Sequence, residues 1–214
     1  MSGIIGSRFN NRGSGLVGSL GTDGQVFTSA GAGTGAVFED AAGGGLEFIE
    51  RSTTAGAASD AFTSLLPTTA YQIVGSIKPA ADDTLLLRVS DDDGSSYETD
   101  SYFWGTSATQ GSTLENSSNT SDGEIVVVCK DATVEDVDST GGCAFHMTML
   151  PQLSGTNRRF VWRMGWERGG PTYDWLYGQG GGGWDSSNAV DAIQFLFRSQ
   201  TMTGTIDLYK WVNA

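Results

Sequence analysis

Short runs that alternate apolar and polar residues, each closed off by Gly, Asp, Ser or Pro, dominate this chain from residue 46 onward. That texture constrains the fold more than any other feature, because period-two alternation with β-branched and aromatic residues is the pattern of a half-buried strand. YQIVGSIK at 71–78 sets Tyr71, Ile73 and Ile77 on one face, and TLLLRVS at 84–90 does the same with Leu85, Leu87 and Val89. CAFHMTML at 143–150 aligns Phe145, Met147 and Met149, and RFVWRMGW at 159–166 aligns Phe160, Trp162, Met164 and Trp166. AIQFLFRS at 192–199 and GTIDLYKWV at 204–212 repeat the pattern with Ile193, Phe195 and Phe197, then Ile206 and Leu208. LEFIER at 46–51 and an aromatic segment from Tyr97 to Trp104 add two more runs, and EIVVVCK at 124–130 is a continuous apolar run of sandwich-core type. No window keeps a 3.6-residue period over three turns. These runs predict an all-β fold, an antiparallel β-sandwich of jelly-roll type.

Residues 1–45 are different. A Gly or Ser recurs every few positions, and apolar residues come singly or in pairs: Ile4 and Ile5, Phe9, Leu16 and Val17, Val26 and Phe27. Such a segment has too little apolar surface to offset its ordering entropy alone. It can order on a partner by adding short strands or seating side chains in grooves. The expected organisation is an extended Gly-rich anchoring arm over 1–45, with those seven apolar residues as partner contacts, and a β-sandwich over 46–214. A second Gly-rich stretch around 169–183 reads as a loop. Trp175, Tyr177 and Trp184 in or beside it are candidates for stacking on a sugar or anchoring a protein interface.

Charge narrows the partners. With 25 acidic against 12 basic residues the formal net charge is −13. An acidic chain is poorly matched to a phosphate backbone or to an anionic membrane surface. No run approaches about 20 apolar residues, so no membrane-spanning helix is expected. The opening MSGIIGSRFNNRGSG lacks the apolar core of a signal peptide, which points to synthesis in a cytoplasm.

The candidate chemistry is sparse. His146 is the sole histidine, on the face opposite Phe145 and Met147; a histidine without an identifiable nucleophile is a weak catalytic signal. Asp82, Asp83, Asp91, Asp92 and Asp93 bracket the strand at 84–90 without the alternating spacing of a calcium loop, so solvated turns are expected and a cation site is the alternative. Glu47, Glu50, Glu124 and Glu167 could supply the carboxylate pair of a glycosidase, but nothing selects a pair. Cys129 and Cys143 are too few for a zinc site; buried free thiols are expected, with a single cross-strand bridge as the alternative. The glycine-rich segment 13–25 lacks the Gly-Lys-Ser/Thr ending of a phosphate loop. No catalytic residue, metal site or cofactor is assigned.

Two stretches resemble a known group. The opening Met1–Asn10, then Gly13-Ser14-Gly15 and Leu20–Gly31, resembles small structural proteins of marine tailed bacteriophages. Within it, Asp23-Gly24-Gln25-Val26-Phe27-Thr28-Ser29 is similar to a Gly-Gln-Val-Leu segment of phage fibre proteins. The closing Ile193-Gln194-Phe195 and Gly204–Tyr209 look like the final strand pair of jelly-roll modules in the same proteins, although this chain continues with Lys210-Trp211-Val212. The resemblance covers the arm and the chain's end, and the middle only in texture. It implies a non-enzymatic virion structural protein on the particle surface, a homotrimer, with no catalytic residues to carry over. A head decoration or cement protein, held by its arm on the major capsid protein, fits the absence of any fibrous shaft. A tail fibre or tail adaptor, with a host glycan as ligand, is the alternative.

Overall fold

In the computed structural model the alternating runs become strands of two antiparallel sheets packed face to face, a β-sandwich. Described are residues 25–28, 37–40, 45–110, 113–128, 137–167 and 175–212. The chain divides into two compact units, Met1–Gly45 with Val212–Ala214, and Leu46–Trp211.

In the first unit, β1 (Gln25–Thr28) and β2 (Val37–Asp40) form a two-stranded antiparallel sheet, with Val26 opposite Glu39 and Phe27 opposite Phe38. Ile4, Ile5, Phe9, Leu16 and Val17 lie outside the described residues.

In the second unit the strands are β3 (Gly45–Ala57), β4 (Ser59–Phe62), β5 (Tyr71–Pro79), β6 (Leu85–Ser90), β7 (Tyr102–Gln110), β8 (Thr113–Asp122), β9 (Ile125–Val126), β10 (Cys143–Met149), β11 (Arg158–Glu167), β12 (Trp175–Trp184), β13 (Ala192–Phe197) and β14 (Met202–Val212). One sheet runs β4-β13-β6-β9 and the other β3-β14-β5-β10-β11-β12-β7-β8. If β4 to β10 and β13 are numbered one to eight along the chain, the small sheet orders them 1-8-3-6. The large sheet orders them 2-7-4-5, with the β11–β12 pair inserted between the seventh and the fourth. That is jelly-roll strand order. The inserted pair, with β14 and β3 beyond β5, broadens one face to eight strands.

The core lies between the sheets and follows the alternation. β10 and β11 bury every second residue, so Phe145 and Met147 stand beside Phe160, Trp162, Met164 and Trp166, facing Leu85, Leu87, Ile193 and Phe195 of the small sheet. The Phe145 and Phe195 rings stack across the gap with centroids 5.2 Å apart.

Several expectations shift. The 169–184 stretch expected as a loop is, from Trp175 onward, the strand β12, paired with β11 on one side and β7 on the other. Two of its glycines lie against indoles of β11: a Cβ would stand 2.9 Å from the Trp166 ring at Gly178 and 2.5 Å from the Trp162 ring at Gly180. Glycine bared on a strand is thus covered by indoles from the next strands. Among the described residues of the apolar run at 124–130, Ile125 and Val126 form a ladder with β6. Val127 and Val128 are buried without being strand; the Val127 N–H donates to the Leu85 carbonyl at 3.0 Å and its carbonyl accepts from Trp162 Nε1 at 2.8 Å. Burial of all four residues from Ile125 to Val128 explains the continuous apolar run. The strand expected from Tyr97 begins only at Tyr102: Asp92 organises the residues up to Ser96 into a turn, and Ser101, immediately before β7, has a left-handed φ of 61°. Asp92 Oδ1 accepts from Ser90 Oγ at 2.7 Å and from the Ser96 N–H at 2.9 Å. β4 and the polar β8 carry no clear alternation. β8 is an edge strand, exposed along most of its length, so no burial shaped its sequence.

Candidate functional site

The residues that alternate with the core on the large sheet face away from the small sheet, and their register aligns them. Asp207 of β14 stands opposite Val74 of β5, Val74 opposite His146 of β10, and His146 opposite Arg163 of β11. Arg163 stands opposite Gln179 of β12, Gln179 opposite Ser107 of β7, and Ser107 opposite Asn116 of β8. One residue from each of seven adjacent strands therefore forms a single row. Six interstrand steps of about 4.8 Å give it a length of about 29 Å.

The row lies in a shallow trough. One concavity of about 910 Å³ is lined, among others, by Ser107, Asn116, His146, Thr148, Arg163 and Gln179. A second, of about 530 Å³, is lined by Val74, Ser76, His146, Arg163, Tyr177 and Asp207 among others. His146 and Arg163 line both, so the two join at the middle of the sheet. Small residues keep the trough open. Gly165 stands between Ala144 and Tyr177, and Gly181 stands between Val161 and Gly105. A Cβ on Gly165 would meet only the Leu176 carbonyl oxygen, at 3.7 Å. Packing therefore does not demand glycine there.

Donors, acceptors and rings converge on this face. Gln179 and Asn116 each offer an amide that both donates and accepts, Ser107 and Thr148 offer hydroxyls, Arg163 offers a planar guanidinium, and His146 an imidazole. Arg163 has no ion-pair partner among the described residues. At the β14 end, Asp207 is already engaged: Arg51 Nε and Nη2 donate to its two carboxylate oxygens, each at 2.7 Å. Those hydrogen bonds hold the Asp207 carboxyl below its ordinary pKa and raise that of the Arg51 guanidinium.

The three aromatic candidates separate. Trp175 and Tyr177 are 68% and 54% exposed on the outward side of β12; Tyr177 neighbours Gln179 and lines the second concavity, while Trp175 lies farther toward the strand's start. Trp184 is 4% exposed and belongs to the core between β11 and β7, which corrects its placement on a receptor-contact loop. Strand alternation places Trp184 on the same side as Gly182 and Gly180, the inward one, a signal that only a strand over 175–184 carries. Val26 and Phe27 lie in β1.

The acidic candidates serve structure. Asp83 Oδ2 accepts from the Ser199 and Gln200 N–H groups at 2.6 and 2.8 Å, and Asp82 Oδ1 from the Ser139 N–H at 3.0 Å. Asp91 Oδ2 accepts from Asn188 Nδ2 at 2.7 Å. Glu124 pairs with Arg88 at 2.8 Å and Glu47 with Lys210 at 2.9 Å. Glu47, Glu50, Glu124 and Glu167 do not line either concavity. Cys143 is a free buried thiol whose pKa burial pushes up to about 12; Cys129 lies outside the described residues.

Arg163, Gln179, Ser107 and Asn116 were not singled out from sequence. Each is merely the polar partner in an alternating pattern, and only the register reveals that they share one row.

No family model and no curated protein matches the chain. Among solved structures, a chain titled "Structure of infectious bursal disease virus Gx strain" aligns at 9% identity with a TM-score of 0.11, over 89% of this chain and 47% of that one. A likeness of that size carries no argument about fold or function.

Proposed function

We propose that this chain is a non-enzymatic recognition module whose broad sheet face binds an extended glycan, carried on the surface of a virus particle. The observation that supports binding is the seven-strand row from Asp207 to Asn116, flanked by exposed Tyr177 and Trp175. A flat array of amides, hydroxyls and a guanidinium suits the hydroxyls of a sugar chain, and exposed rings suit its C–H faces. A binding reading is favoured over hydrolysis because no carboxylate is found among the described residues lining the larger concavity.

The setting is supported by sequence. The segments at 1–31 and 193–209 that resemble bacteriophage structural proteins favour attachment to a virion, with the 1–45 region as anchor on the major capsid protein or a tail protein, and a homotrimer as the displayed form. Decoration of the head is the first reading. A tail fibre or adaptor is the second, favoured by the trough itself, since host recognition needs an exposed binding face.

A glycan array probed with the full chain and with Tyr177→Ala tests the binding reading. Defined hits that weaken at least tenfold in the variant are expected. A blank array for the unmodified protein would sink it. The setting is tested separately, by mixing the full chain and a chain lacking residues 1–45 with bare particles: only the full chain should sediment with them.

A further inference from the structure

The larger concavity has an unusual charge balance for this protein. The chain carries 25 acidic residues, yet none of them is among the described residues lining that concavity, while Arg163 and His146 lie where it joins the second concavity, which Asp207 lines. They are directly opposed cross-strand neighbours, with Gln179 opposite Arg163 on the far side. Arg163 has no ion-pair partner among the described residues, whereas Arg51 at the trough's end already holds Asp207 in a two-point pair. A guanidinium with no carboxylate partner of its own keeps its donors available to a ligand's carboxylate, a local contact that acts against the chain's overall negative charge. The planar fork of an arginine matches a carboxylate in a two-point contact, and an imidazole beside it adds a further donor.

Resting on the glycan reading above, we infer that the ligand is an acidic glycan, a chain of uronic-acid sugars one of whose carboxylates is held by Arg163 and His146, with Tyr177 against a sugar ring and Gln179 on neighbouring hydroxyls. The length of the row, about 29 Å at about 4.8 Å per strand, calls for an oligomer and not a single sugar. The inserted β11–β12 pair supplies Arg163, Tyr177 and Gln179, so specificity lies on the element added to the eight jelly-roll strands.

The test is isothermal titration calorimetry of the full chain with a panel of uronate hexasaccharides (galacturonic, mannuronic and guluronic) and with the methyl ester of each, which keeps the sugar and removes the charge. At least one acid is expected to bind ten-fold or more tighter than its ester, and Arg163→Gln should bring the two to parity. Lys78→Gln, a cation on the same sheet but outside both concavities, should leave the preference intact. Equal binding of acid and ester would overturn the inference while leaving the glycan reading standing. No binding by any acid, with hits on neutral sugars in the array, would overturn it in the same way, and a blank array as well would overturn both. A Glu hexapeptide binding as tightly as the best uronate would also overturn it, because charge alone would then suffice.

Discussion

The Trp162 indole of β11 lies directly over Gly180, its cross-strand partner on β12: a Cβ at that position would fall 2.5 Å from the ring. Glycine is therefore a packing requirement there. Gly180→Ala should force the indole or the strand aside and destabilise the protein by about 1–3 kcal/mol. Gly165→Ala adds the same methyl where only a carbonyl oxygen lies at 3.7 Å, and should change stability by less than about 1 kcal/mol in either direction. Thermal melts of the two variants side by side check this; equal losses would refute the packing account.

Trp184 and Trp175 are the two ends of one strand, yet they predict opposite behaviour. Trp184→Ala removes a buried indole and should cost about 3–5 kcal/mol, whereas Trp175→Ala, at a largely exposed site, should stay within about 0.5 kcal/mol of the parent. Urea unfolding monitored by far-ultraviolet circular dichroism separates them.

Arg158 is fully buried at the start of β11, with no ion-pair partner among the described residues. Its Nη1 donates to the Pro67 carbonyl and its Nη2 to that of Thr69 at 3.2 Å, so one side chain ties the 67–69 turn to the large sheet. Burial lowers its guanidinium pKa to about 10. Arg158→Ala would leave both carbonyls without this donor and open a cavity, for a loss of about 2–4 kcal/mol. Hydrogen exchange should show the 64–70 segment loosening first; uniform loosening would argue against a local tie.

Asp92 provides a pH signature. Hydrogen bonds from Ser90 and Ser96 hold its carboxyl at about 2, below the ordinary 3.8. A depressed carboxylate stabilises the fold above the unfolded pKa, and that contribution disappears as pH falls through the folded one. Between about pH 4 and 2 the parent should therefore lose stability more steeply than Asp92→Asn. Parallel Tm-against-pH curves over that window would rule Asp92 out as a contributor.

The 91–101 turn also shows where sequence reasoning stopped. Its Asp and Ser residues read correctly as turn formers, but the delayed start of β7 goes with Asp92 reaching Ser96 and with the left-handed backbone at Ser101, both details of local geometry. Likewise β12 was hidden because five of its ten residues are glycine, and a glycine has no side chain with which to announce a buried face.

What the sequence determined by itself is the class of fold: alternation in the segments that became β5, β6, β10, β11, β13 and β14 specifies one wet and one dry face per strand, and two such sheets bury their dry faces only against each other. It equally determined that His146 faces away from the core. What only tertiary structure decided is which outward residues become neighbours. Ser107 and Asn116 are close in sequence, but Val74, His146, Arg163, Gln179 and Asp207 are scattered along the chain. Strand order and register bring them into line, and both are set by long-range pairing that no local pattern encodes.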